Sequence, residues 1–118
     1  MNHSVYTTRI DSWPESAARL LDAVGLAKRL VDEQLIILKP NLVEALKPPI
    51  TTPVALVEAL VDYLQQHVPH CRIVIGEGTG AINYDTFHCF AALGFTGMAQ
   101  RKNIDLVEYY EGESGFWK

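Results

Sequence analysis

Residues able to do chemistry gather at three places in this chain. Lys39 and Asn41 stand in "LKPN", at the end of the apolar run Leu35 to Leu38. Thr51 and Thr52 stand before Pro53 in "PPITTP". Gly76, Glu77, Gly78, Thr79 and Gly80 make up "GEGTG", directly after the apolar run that starts at Arg72. A lysine beside a helix N-terminus makes an anion site, because free N–H groups and the positive end of the helix dipole act on the same charge. That chemistry suits a phosphate or a carboxylate. Glu77 is the one charged group in its turn. At a strand end it is the candidate acid–base group or metal ligand. Each residue also has a plain reading. Thr-Thr-Pro is a helix cap, Lys39 snorkels from a sheet edge, Asn41 satisfies loop backbone, and Glu77 is a solvated loop residue.

These residues need elements to position them. Leu35 to Leu38 is continuously apolar, the pattern of a parallel strand buried on both faces. Pro40 stops it, and the loop that follows is stiffened by Pro48 and Pro49. Thr52 then caps a helix with Pro53 at its first position, where a missing N–H costs nothing. Val54, Val57, Leu60, Val61 and Leu64 recur at helical spacing, and Pro69 forbids continuation beyond about His67. Arg72 to Ile75 is the next strand, and its glycines permit a tight turn. Asn83 or Asp85 caps a further helix carrying Phe87, Phe90 and Leu93, ended by Gly94-Phe95. A short turn, "TGMAQRKN", leads to a last strand, "IDLVEYY". Upstream, "SVYTTRI" (Ser4 to Ile10) reads as a first strand. Ser12 with Glu15 makes a capping box for a helix bearing Ala17, Leu20, Leu21 and Val24, and Gly25 breaks it before "LAKRL". The order β-α-β-α-β-α-β implies a single α/β domain, a three-layer sandwich whose mostly parallel sheet of about four strands has helices on both faces. Ligands bind such sheets at the carboxyl ends of the strands, where Lys39, Asn41 and Glu77 fall.

Composition narrows the function classes. The 118 residues carry 10 Lys+Arg against 14 Asp+Glu, a net charge of −4, which argues against a nucleic-acid or anionic-membrane surface. No apolar run is long enough to cross a membrane. The N-terminal "MNHSVYTTRI" lacks a signal-peptide core, so a cytoplasmic location is expected. Cys71 and Cys89 are too few for a disulfide framework. "HVPHC" brings together His67, His70 and Cys71, but on the end of the sheet opposite the expected site and without a second ligand pair, so no metal is expected. His88 and Cys89 lie among phenylalanines and read as core or edge. "GEGTGA" has the letters of the dinucleotide fingerprint, yet "INYD" intervenes before a credible helix. The acids Glu108 and Glu111 lie about 30 residues on, too far for the ribose contact.

The strings "LIILKPNLV", "PPITTPVALVEALVDYL", "IVIGEGTG", "FAALGF" and "NIDLVEY" resemble, in that order, the N-terminal half of domain-of-unknown-function family 362. The family pattern falls on Leu38 to Asn41, Thr51 to Pro53, Ile75 to Glu77 and Gly94-Phe95. The resemblance implies no settled activity. Some members carry a ferredoxin-like cysteine module for iron–sulfur clusters. This chain has none, so no iron–sulfur cluster is expected and the cofactor is left open. The second half, where "KTH" and "KN" would add site residues, is also absent. The aromatic end "GESGFWK" reads as cut, so the resemblance implies a missing C-terminal half or a site completed by a second copy.

Two classes of function follow. One is a binder of a small anionic metabolite, or an enzyme or enzyme half acting on it, with Lys39, Asn41, Thr51, Thr52, Gly76, Gly78, Thr79 and Gly80 holding the ligand and Glu77 as the catalytic candidate. The other is a non-catalytic scaffold that assembles, as a homo-oligomer or with a partner, through its sheet edge and the tail "YYEGESGFWK".

Overall fold

A computed structural model describes residues 3–42, 46–78 and 86–108. Ser12 opens the first helix as its residue pattern requires: its hydroxyl accepts from the Glu15 N–H, and Pro14 sits in the first turn of α1, Trp13–Ala23. Gly25, in the left-handed region at φ 67°, breaks the chain before the one-turn α2, Leu26–Arg29. Strand β1, Leu35–Leu38, follows. Helix α3, Val54–His67, then carries Val57, Val61 and Leu64 inward. Strand β2 is Arg72–Glu77. Helices α4, Thr86–Ala92, and α5, Phe95–Lys102, are separated at Gly94, φ 88°. Strand β3, Asp105–Glu108, completes the described elements.

The three strands are parallel and lie in the order β1-β2-β3, with Leu38 opposite Ile75 and Ile75 opposite Leu106. Side chains alternate across this register. Ile36, Leu38, Ile73, Ile75 and Leu106 face one core, which also takes in Ala18 and Leu21 of α1, Val57, Val61 and Leu64 of α3, and Phe90, Phe95 and Met98. Phe90, Phe95, Met98 and Val61 are fully buried. Each side chain of that size contributes about 1.5–3 kcal/mol on leaving water. Ion pairs tie α5 to α3, Arg101 Nη2 to Glu58 Oε2 at 2.6 Å and Lys102 Nζ to Asp62 Oδ1 at 2.7 Å. Tyr63 Oη donates to Asp22 Oδ1 at 2.6 Å and ties α3 to α1.

The α/β class with a parallel sheet stands as the sequence implies, and four expectations are corrected. Residues 4–10 form no strand; Arg19 holds Thr8, the Arg9 carbonyl and Asp11 beside α1, and Val5 and Ile10 are exposed. The stretch after Gly94 is helix α5 rather than a turn, because Phe95, Met98 and Ala99 bury one helical face. Phe87 is exposed rather than in the core. The described helices form one layer, not two. The sheet order runs in chain order, and right-handed crossovers that always step the same way put every crossover on the same face. So β1 is an edge strand with Leu35 and Ile37 49% and 40% exposed, not a strand buried on both faces.

Candidate functional site

Parallel pairing brings the carboxyl ends of the strands level, and this is what assembles the site. Lys39 follows the last residue of β1, and Glu77 is the last residue of β2. Lys39 Nζ lies 3.0 Å from Glu77 Oε1. The same oxygen accepts from the Gly78 N–H at 2.9 Å. The two side chains sit in different media: that of Glu77 is 5% exposed and that of Lys39 is 60% exposed. A buried carboxylate needs partners to be tolerated, and Glu77 has a cation and a backbone donor. The ammonium has three N–H donors, spends one on Glu77, and stands mostly in water. The pair is therefore a cation held in a fixed place by a carboxylate beneath it.

Asn41, Thr51 and Thr52 are brought to the same end of the sheet and do different work there. The Asn41 N–H donates to Thr52 Oγ1 at 2.8 Å, and the Thr52 N–H donates back to the Asn41 carbonyl at 2.9 Å. Asn41 Nδ2 donates to the Ile50 carbonyl at 3.2 Å. Thr51, 2% exposed, donates its hydroxyl to the Leu46 carbonyl at 2.6 Å. Thr52 was expected to cap α3, and it does not: Pro53 is the N-cap and makes no side-chain bond. The Thr52 hydroxyl is committed to Asn41 instead. The end of β1 is thereby clamped to the start of α3. Gly76 is buried in β2, opposite Val107. Thr79 and Gly80 lie outside the described residues, as do Asn83, Asp85 and the tail from residue 109.

The places of two residues in this region were not read from the sequence, although Glu108 itself was noted as an acid of the last strand. Glu108 is the register partner of Glu77, so a second carboxylate stands at the same end of the sheet. Only strand register could reveal it. The clamp also borders a groove of about 440 Å³, walled by Trp13, Pro48, Pro49, Ile50, Pro53 and Leu56, with Asn41 and Thr52 at its side. Trp13 was legible only as part of a helix start. Elsewhere, His67 stacks on Tyr63 at 4.0 Å and Cys71 Sγ donates to the Glu33 carbonyl at 3.0 Å. Among the described residues no three His, Cys, Asp or Glu side chains gather closely enough to hold a metal ion, and no helix is long and apolar enough to cross a membrane.

No curated protein and no solved structure matches the chain. Residues 36–115 match the model of a family described as Domain of unknown function (DUF362). That span begins inside β1 and takes in Lys39, Asn41, Thr51, Thr52 and Glu77, so the clamp and the Lys39–Glu77 pair are built from family sequence. With the greater part of its length inside that match, the chain belongs to the DUF362 family.

Proposed function

We propose that this domain binds a small anionic metabolite, a phosphate or a carboxylate, at the carboxyl ends of its strands. One observation carries the reading: the Lys39 ammonium is fixed at 3.0 Å by a buried Glu77 carboxylate and is 60% exposed. An oriented cation with unspent donors is the complement of an oxyanion. The start of α3, clamped close by through Asn41 and Thr52, adds the positive end of a helix dipole. In this reading Glu77 positions Lys39, and any proton transfer in an enzymatic version would use the same carboxylate.

Isothermal titration with inorganic phosphate tests it. The wild type binds, and Lys39→Met lowers affinity about tenfold or more, the worth of a charge-assisted hydrogen bond of about 1.5 kcal/mol. Binding that is unchanged in Lys39→Met refutes the reading.

A second reading has its own observation. Leu35 and Ile37 are exposed on an edge strand, which suits a scaffold that assembles through this sheet. Light scattering decides it: Ile37→Lys lowers the mass of an assembled wild type, and a wild type that is monomeric at high concentration removes the idea.

A further inference from the structure

The geometry points to a ligand with two unlike parts, an anionic group at Lys39 and a flat apolar body lying in the groove beside Trp13. The inference rests on the anion reading above and names the class of molecule that site would take. The groove is about 440 Å³, within the range of small-molecule sites. Its lining is mostly an indole, prolines and aliphatic side chains, with Asn41, Thr51 and Thr52 on one side, and the apolar part favours a ring over a hydrated polar group. Ile50 is 53% exposed at its rim, so apolar surface stands in water there that an occupant would cover.

Two facts join this groove to the cation. Asn41 lines it and stands two residues after Lys39, so the two Cα atoms lie within about 7 Å of each other. The groove walls are also held by the hydrogen bonds that fix the end of β1: Asn41 to Thr52, and Asn41 to the Ile50 carbonyl. The apolar wall and the backbone that carries Lys39 are therefore parts of one clamped unit. Charge selects the occupant. A neutral aromatic would leave the exposed Lys39 unused, and an inorganic anion would leave the groove wet. An aryl or similarly apolar phosphate or carboxylate uses both.

Titration with 1-naphthyl phosphate, inorganic phosphate and 1-naphthol separates the parts. The wild type should bind 1-naphthyl phosphate at least tenfold more tightly than inorganic phosphate, a margin of about 1.4 kcal/mol. It should bind 1-naphthol more weakly than the aryl phosphate by a similar factor. Trp13→Ala and Ile50→Ser should each erase most of the margin while leaving inorganic phosphate binding in place. Ile50 is exposed, so Ile50→Ser keeps the test open if Trp13→Ala does not fold. Equal affinities for the two phosphates overturn the groove and leave the anion reading standing. So does a margin that survives both substitutions. Failure of both phosphates to bind overturns the anion reading, and this inference with it.

Discussion

Lys39 and Glu77 differ twelvefold in side-chain exposure although they touch, and the difference assigns their roles. In the anion-binding reading the carboxylate is the support and the ammonium is the working surface. Glu77→Gln should therefore weaken phosphate binding by loosening Lys39, and should change stability by less than about 1 kcal/mol, since the lysine left without its partner stands mostly in water. Chemical denaturation and titration on the same variant read both effects. Two other residues give pH signatures away from the site. The Arg19 guanidinium, then the Ser12 N–H and the Ser16 hydroxyl, hold the Asp11 carboxyl well below the usual carboxylate range. A depressed carboxyl stabilises the fold above its unfolded value and loses that contribution as pH falls toward its folded value. The stability gap between wild type and Asp11→Asn should be full at pH 7 and shrink below about pH 4. Tyr63 runs the other way. Its hydrogen bond to Asp22, with burial second, pushes the phenol up to about 12. A raised phenol stabilises the fold below about pH 10 and loses that contribution as pH rises toward 12. Tyr63→Phe should cost about 1 kcal/mol at pH 7 in a urea titration, with the gap closing above pH 10.

Among the elements, the helices carry most of what a sequence can say. Ser12 to Glu15 fixed the start of α1 by local chemistry, and Pro69 fixed the end of α3. Strand β2 was equally plain, since Ile73 to Ile75 have no polar interruption. The misreadings share one cause, competition from partners distant in sequence. Thr52 looks like a cap locally, but Asn41, eleven residues back, claims its hydroxyl. Ser4 to Ile10 has strand propensity, but Arg19 ties its end to α1. The Lys39–Glu77 pair was partly legible, because both residues sit at strand ends. Their contact was not, since it depends on which strands are neighbours and in what register. The positions of Glu108 and Trp13 beside the site depend on the same information and were missed for it. At this scale the core gives a further expectation. Phe90 is fully buried in the core, edge-on to Phe95 of α5, so Phe90→Ala should cost about 3–5 kcal/mol in the same urea titration.

For the molecule as a whole, the decisive feature is that the sheet runs in chain order. From it follow the single layer of the described helices, the exposed Leu35 and Ile37, and the level line of strand ends on which Lys39 and Glu77 meet. It also bears on how the chain acquires its shape. Each described strand pairs with the described strand before it, Leu35 with Arg72 and Val74 with Asp105, and among the described strands none inserts between two earlier ones. The β1-α3-β2 unit holds both Lys39 and Glu77. The two partners of the ion pair therefore meet across a single crossover, and closing that one loop is enough to bring them together.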